Sequence, residues 1–139
     1  MTTADLPEGF EPLFRTSPFL ERTGPFYVKG RGAQLKIGLR VQEHHLNGRG
    51  HLHGGMVMTM ADIALGYAMS TSAEPPIHAV TSSMSADFAG SARLGDWVES
   101  AVDIQKVGRT LAFANVYLSV GEQRIARASG VFAVTSFGS

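Results

Sequence analysis

Cysteine is absent from the 139 residues of the chain. Its absence excludes disulfides, thiolate metal clusters and a thiol nucleophile from this sequence. The opening stretch, MTTADLPEGFEP, also lacks the basic start and the apolar run that form a secretory signal. We therefore expect a cytoplasmic protein.

An excess of charge of either sign is missing too, because 12 basic residues balance 12 acidic ones. Proteins that bind nucleic acid or an anionic membrane surface through electrostatics carry a basic patch or a positive net charge. Neither kind of partner is predicted for this chain.

Long uninterrupted apolar runs are also absent. Residues 54–73 come closest, but they hold small polar residues and a central acid, Asp62. A central aspartate costs about 2.5–3.5 kcal/mol on membrane insertion. We therefore predict that this segment is a helix buried inside a domain, and that the chain has no membrane span.

The remaining sequence divides into a lead-in and one domain. Residues 1–25 contain several prolines and are predicted to be irregular, with one short helix near residues 11–16. Residues 26–139 are predicted to form a single domain. Strand-like patterns occur over about residues 33–41, 80–88, 97–107, 111–120 and 125–137. The short turns between the later runs favour an antiparallel meander.

A helix that is apolar on every side must be buried on every side. One curved antiparallel sheet of five to six strands, wrapped around one long central helix, would bury it and gives a two-layer α+β domain. Such a sheet leaves edge strands and part of the helix uncovered. We therefore predict that the chain pairs with copies of itself, as a homodimer or a tetramer.

Two glycines, Gly54 and Gly55, stand at the predicted start of the helix. The first N–H groups of a helix are unpaired, lie at its positive end, and can polarise a carbonyl whose oxygen becomes negative. The alternative is structural: the glycines end a loop, and His53 caps the helix.

Asp62 is the only charged residue of the helix. A buried carboxylate without a partner is costly, so it is usually paired or functional. One interpretation is a hydrogen bond to a distant hydroxyl, or an ion pair with Arg93 or Arg127. The other is a general base or nucleophile in an apolar pocket.

Spacing separates the two ends of this candidate site. Asp62 lies eight residues beyond Gly54, about 12 Å along the helix axis, whereas a base must act within about 3 Å of its target or through one water. If the site is catalytic, it should therefore combine the helix start of one copy with Asp62 of another.

The motif NGRGHLHGGMVMTMAD, followed by SADFAGSARLGDWVESAVDIQKVGRTLAFANVYL, resembles the hotdog-fold acyl-CoA thioesterases, and within them the PaaI-like branch from phenylacetate degradation. The similarity covers about residues 33–135. It implies the hotdog fold, a homo-oligomer, and hydrolysis of an aryl- or medium-chain acyl-CoA thioester without a metal or an organic cofactor.

The resemblance also implies roles for individual residues. Asn47 would hold the water or the thioester, and His53 and Gly54 would present a backbone N–H to the thioester carbonyl, with Gly55 completing the motif. Asp62 of the facing subunit would act as base or nucleophile. A strand hydroxyl would assist it: Thr81 is our choice, with Ser82 and Ser83 as alternatives.

Further residues are predicted to contact the substrate. Met56 and other methionines are expected to shape the acyl pocket, whose length the sequence does not define. Arginine suits phosphate groups, so Arg93 and Arg109, with Thr110, are predicted to meet the CoA phosphates.

Three other functions remain open at this point. A non-catalytic acyl-CoA or acyl-lipid binding module could share the fold. A hotdog hydratase or dehydratase would need a different arrangement of histidine and acid. A metal site could use the histidines of the chain, although their spacing matches no zinc pattern; these are His44, His45, His51, His53 and His78. For His44 and His45 we favour loop positions that face water.

Overall fold

The structure of the chain is a computed structural model that describes residues 5–137. Seven strands form one antiparallel sheet and a long helix packs against it, so the predicted α+β architecture is confirmed. The helices are α1 (Pro18–Thr23) and α2 (Gly54–Ser70), and the strands are β1 (Glu11–Pro12), β2 (Tyr27–Lys29), β3 (Lys36–Arg40), β4 (Ile77–Phe88), β5 (Trp97–Val107), β6 (Leu111–Val120) and β7 (Gln123–Phe137). Neither helix is long and apolar enough to cross a membrane within the residues described.

The order of the strands across the sheet is β1-β2-β3-β5-β6-β7-β4. Strands β5, β6 and β7 form the predicted meander, but β4 pairs with β7 at the edge instead of with β5. The expected unbroken meander is wrong at this point. The segment between β4 and β5 passes the start of α2, where Leu52 N donates to Ala92 O at 2.8 Å and Ala92 is fully buried.

The N-terminal region also differs from expectation. Residues 11–12 pair with β2 as strand β1, and the short helix expected near residues 11–16 lies at Pro18–Thr23 instead. Ser17 Oγ caps this helix by accepting from Leu20 N at 3.2 Å, and Pro18 occupies its first position, where the missing N–H costs nothing. The two short strands raise the strand count from the predicted five or six to seven.

Helix α2 buries one side against the sheet and leaves a stripe on the other. Its buried residues include Met60, Leu65 and Met69, each at most 1% exposed. The stripe recurs at helical spacing and is only partly covered within one chain; it comprises Gly55, Met58, Thr59, Asp62, Gly66, Tyr67 and Ser70. The helix is therefore not buried all round within one chain, and Asp62 lies on the side that is left open.

Strand β4 contains an irregularity that decides which side chains face the helix. Thr81 pairs with Phe132 and Ser83 with Val131, so Ser82 is an extra residue in the ladder. A bulge of this kind reverses the faces of the residues that follow it. Before the bulge Ala79 packs against the core and Val80 is 57% exposed, whereas after it the even-numbered Met84 and Ala86 pack against the core.

Candidate active site

The loop before α2 is shaped by Asn47. Its side-chain oxygen Oδ1 accepts from Arg49 N at 2.9 Å and from His51 N at 3.1 Å. The backbone of Asn47 also donates to His51 O at 2.7 Å. These bonds close the loop and fix the direction from which the chain enters the helix. Direct contact between Asn47 and a ligand stays a prediction.

His53 caps the helix, as the structural alternative expected. Its Nδ1 accepts from Gly55 N at 2.8 Å, and its carbonyl oxygen accepts from Met56 N and Val57 N. A Cβ added at Gly55 would stand 3.0 Å from that Nδ1, so a larger residue there would require the His53 ring to shift. Among the residues described, no group accepts from the N–H of Gly54. The free amide at the helix start is therefore that of Gly54.

The amide of Gly54 borders a cavity of about 240 Å³. Asn47, His51 and Phe88 line it together with small residues of the β4–β5 segment. A Cβ at Gly54 would meet the Phe88 ring at 3.8 Å, an ordinary contact. Met56, a predicted substrate contact, lies in the buried core.

Asp62 is held by a hydroxyl of strand β4. Thr81 Oγ1 donates to Asp62 Oδ1 at 2.6 Å. Arg127, one of the ion partners considered, instead pairs with Asp87 at 2.9 Å. No partner is assigned to Asp62 Oδ2 among the described residues. Of the structural alternatives for Asp62, the hydroxyl is the one observed.

The bulge at Ser82 explains why Thr81 is the hydroxyl that reaches the helix. Thr81 precedes the extra residue, and Ser83 follows it on the resumed ladder. Ser82 and Ser83 are exposed, and their hydroxyls have no assigned bond to Asp62.

Two cavities meet at this carboxylate. One, of about 410 Å³, extends along α2 towards Gly66 and Tyr67, and the other, of about 520 Å³, extends towards Met58. Asp62, Ile63 and Thr81 line both. The cavity at Gly54 shares no lining residue with either. Within one chain, the free amide and the carboxylate thus face different spaces.

The predicted phosphate contacts lie far apart in one chain. The backbone of Arg93 forms an isolated antiparallel β-bridge with His51 near the start of β5, whereas Arg109 follows the end of that strand. The 11 residues of β5 span about 36 Å at a rise near 3.3 Å each. Thr110 O accepts from Val134 N at 2.9 Å, which places Thr110 beside β7, just before β6 begins. One chain does not bring the two arginines to one phosphate group.

The adjacent histidines of the loop differ from expectation. His45 is fully buried, and its Nε2 contacts Thr23 O at 2.8 Å, so the expected water-facing position is wrong for this residue. Burial lowers the pKa of His45, and the nearby His44 acts in the same direction. His44 is exposed, and its Nε2 lies 2.6 Å from Gly24 O. In residues 5–137, no group of three histidine or acidic side chains is placed to hold a metal ion.

Comparison with known proteins decides the family. A family model described as the thioesterase superfamily matches residues 49–126, more than half of the chain. The chain belongs to the thioesterase superfamily. Its hotdog fold and its resemblance to the PaaI-like thioesterases are thereby confirmed, and the chain is a thioester hydrolase.

Individual members of the superfamily resemble the chain over most of its length. A putative esterase of Pseudomonas aeruginosa is 48% identical over 129 residues, which are 92% of this chain and 96% of that protein. Acyl-coenzyme A thioesterase 13 of Mus musculus is 31% identical over 84% of each chain. The structure of a mutant phenylacetic acid degradation protein PaaI of Thermus thermophilus is 25% identical, with a TM-score of 0.74, over 84% of this chain and 98% of that one.

Residues before the matched region also line this thioesterase site, and sequence reasoning did not single them out individually. Phe14 and Arg15 line one cavity at Asp62, and Phe19 and Leu20 line the other. Tyr67 was also missed; its hydroxyl donates to Arg15 O at 2.7 Å, and burial raises its pKa. The aromatic residues of the lead-in were the available signal, but they have no periodicity that assigns them to a surface.

Proposed function

We propose that the chain hydrolyses an aryl- or medium-chain acyl-CoA thioester at a site shared between two copies. The single observation that carries this proposal is the Asp62–Thr81 pair, which opens onto two cavities while the free amide of Gly54 opens onto a third. One copy would present the amide, and the other would present the carboxylate.

The edge of the sheet supports pairing between copies. Strand β4 is 12 residues long and lies at the edge, with Val80 and Phe88 57% and 55% exposed. A long apolar edge strand readily pairs with another strand. If β4 pairs with β4 of a second copy about a twofold axis, the strands are antiparallel, and so are the α2 helices that pack beside them. Each helix start then points towards the middle of the other helix.

The chemistry follows from the groups at the two positions. The Gly54 N–H would donate to the thioester oxygen and stabilise the negative charge that forms there. Asp62 would either take a proton from a water that attacks the carbonyl carbon or attack that carbon itself. The C–S bond then breaks and CoA leaves as a thiol after protonation. In the second route a water then hydrolyses the anhydride between the acyl group and Asp62, which releases the acid and restores the carboxylate. In both routes Oδ2 is the reacting oxygen, because Oδ1 accepts from Thr81.

The substrate class rests on the relatives and on the cavities. The Mus musculus relative is an acyl-coenzyme A thioesterase by name. The cavities of 410 and 520 Å³ at Asp62 fall within the range of about 300–1,000 Å³ that is typical of small-ligand pockets. Met58, Ile63 and Met84 supply an apolar lining that suits an acyl group.

Thiol release over a panel of acyl-CoAs tests the activity. We expect turnover with phenylacetyl-CoA or with straight chains of medium length. Tight binding of an acyl-CoA that stays intact after long incubation would instead favour the non-catalytic binding module. Loss of the double bond of a 2-enoyl-CoA, or its formation from a 3-hydroxyacyl-CoA, without thiol release would instead favour a hydratase or dehydratase.

Mixing of two inactive variants tests whether the site is shared. Asp62→Asn removes the carboxylate, and Gly54→Val covers the amide. In a mixed dimer one site keeps both groups, so random exchange should restore about a quarter of wild-type turnover in a twofold-symmetric dimer. Each variant mixed with itself is the control. Failure of a mixture with demonstrated subunit exchange to recover activity would contradict a shared site.

A further inference from the structure

Residues 14–20, here named the strap, form a wall of both cavities that meet at Asp62. Phe14 and Arg15 line the cavity on the Tyr67 side, and Ser17, Phe19 and Leu20 line the cavity on the Met58 side. The strap precedes residues 49–126, the region that matches the thioesterase superfamily. It is therefore a part of the pocket that this chain adds to the matched region.

Contacts on both sides hold the strap against the domain. Before it, Phe10 packs edge-on against Trp97 with ring centroids 5.1 Å apart. After it, His44 and His45 contact the carbonyl oxygens of Gly24 and Thr23.

Within the strap itself, the backbone oxygen of Arg15 accepts from Tyr67 Oη at 2.7 Å, and Leu20 is buried in the core. The strap is therefore a fixed wall of the pocket.

The two cavities differ in chemical character. The cavity on the Tyr67 side mixes apolar residues with more polar groups than the other cavity has, including Arg15, His78 and Thr135. Most of the lining on the Met58 side is apolar, with Phe19, Leu20, Ile63 and the two methionines. An apolar acyl group gains more by entering the second cavity, because burial of unpaired polar groups beside a hydrocarbon chain is costly.

Phe19 is the exposed aromatic residue of that apolar cavity. Its side chain is 58% exposed although it belongs to helix α1, whose Leu20 is buried. In the free chain this large apolar ring is exposed to water, which is unfavourable. A ligand that covers the ring removes that surface from water and so binds more favourably.

We propose that one residue of the strap, Phe19, closes the Met58-side cavity and limits the length of the acyl chain held there. The proposal rests on the proposed thioesterase function. It assigns the substrate class as an unbranched or aryl acyl group whose far end meets the Phe19 ring. Phe14, which lines the Tyr67-side cavity, has no part in this length limit.

The test is the profile of kcat/KM against chain length, from acetyl-CoA to hexadecanoyl-CoA, with phenylacetyl-CoA added. In Phe19→Ala we expect the optimum to move to longer chains. The ratio of kcat/KM for a chain beyond the wild-type optimum to that at the optimum should rise about tenfold or more, since one methylene is discriminated by about 10- to 200-fold in an apolar pocket. The ring is largely exposed, so its truncation leaves no void in the core.

Two matched variants serve as controls. Phe14→Ala removes an equally exposed ring from the other cavity, and Leu94→Ala removes an exposed apolar side chain from the β4–β5 segment. Both should keep the wild-type ratio. An unchanged ratio in Phe19→Ala, or a shift in Phe14→Ala instead, would overturn the proposal.

Failure of the proposed function is distinguishable from failure of this inference. Absence of thiol release from every acyl-CoA in the wild type would reject the thioesterase proposal. Calorimetric binding of the same panel to wild type and Phe19→Ala then still tests the strap. Tighter binding of longer chains by the variant supports the length limit, and identical binding profiles reject it.

Discussion

The start and the middle of helix α2 hold their functional groups in different ways. At the start, the candidate group is the backbone N–H of Gly54, and the cap of His53 on Gly55 keeps the neighbouring amide occupied. In the middle, the group is the carboxylate of Asp62, which a side chain of another element, Thr81, holds from strand β4. One position depends on local backbone geometry, and the other depends on the register of the sheet.

This difference determines how each position responds to substitution. A backbone donor remains in every variant except proline and can otherwise only be covered, so its loss should be graded by the size of the side chain added. A carboxylate can be replaced by an amide of the same shape, which removes the base and keeps the packing. The two positions can therefore be tested separately.

The largest effect is expected at the middle of the helix. Asp62→Asn should lower kcat by about 10²- to 10⁴-fold, the usual contribution of a general acid or base. The fold should survive, because the side chain is only half-buried and the amide has the same shape. Thiol release and circular dichroism check both points. Asp103→Asn, the same change at an exposed position of β5, should leave kcat unchanged; an active Asp62→Asn enzyme would contradict the assignment.

A somewhat smaller effect is expected at the start of the helix. Gly54→Val should lower kcat by about 10²- to 10³-fold, as the loss of one oxyanion donor does. The added Cβ has room, since its nearest side-chain neighbour is the Phe88 ring at 3.8 Å. Gly54→Ala should lose less, because a methyl group covers less of the amide. Equal activity in the wild type, Ala and Val enzymes would show that this amide does not contact the thioester.

The next effect concerns the hydrogen bond from Thr81 of β4 to Asp62 of α2. Thr81→Val should reduce kcat/KM by about 10- to 100-fold, because a hydrogen bond to a charged group contributes about 1.5–3 kcal/mol. Thr81→Ser keeps the hydroxyl and should retain most activity. Ser83→Ala removes a hydroxyl on the other side of the bulge and should change nothing. A Val variant as active as the Ser variant would show that the hydroxyl does not assist Asp62.

The sequence predicted those parts of the fold that have a clear period. Strands β5 and β6 occur at the predicted bounds, and α2 begins at Gly54 as expected. Each strand is long enough for its alternation to be read, and the glycine pair after a polar loop indicates the helix start. The family resemblance added the site pattern; the family match confirms the resemblance, and the roles of the individual site residues stay predictions.

Other parts of the fold could not be predicted from the sequence, for physical reasons. Thr81, Ser82 and Ser83 all carry hydroxyl groups, so the sequence does not show which of them faces the helix. The bulge that turns Thr81 towards Asp62 therefore cannot be predicted from the alternation of apolar and polar residues. Strands β1 and β2 have two and three residues, too few for any period. His45 is buried because carbonyl groups about 20 residues earlier accept its hydrogen bonds, and such distant partners leave no local signal.

The smallest effect is expected for the pH dependence of folding stability, which we attribute to His45. The carbonyl oxygen of His45 accepts from His53 N at 2.8 Å, so His45 supports the residue that caps α2. Burial lowers the pKa of His45 in the folded state, whereas in the unfolded chain it is about 6.5. Between these two values the unfolded state binds more protons. Stability should therefore be full above about pH 6.5 and should fall as the pH drops below it.

Thermal unfolding at pH 8 and at pH 5.5 checks this expectation. The wild type should lose Tm on acidification, and His45→Asn should lose less, because the substituted group does not titrate; its Tm at pH 8 should be lower, since the bonds to Thr23 O and Gly24 O are gone. His44→Asn is the matched control at the exposed neighbour and should keep most of the wild-type pH dependence. Parallel losses of Tm in the wild type and in His45→Asn would mean that another group carries the pH dependence. The start of α2 would then not depend on the protonation of His45.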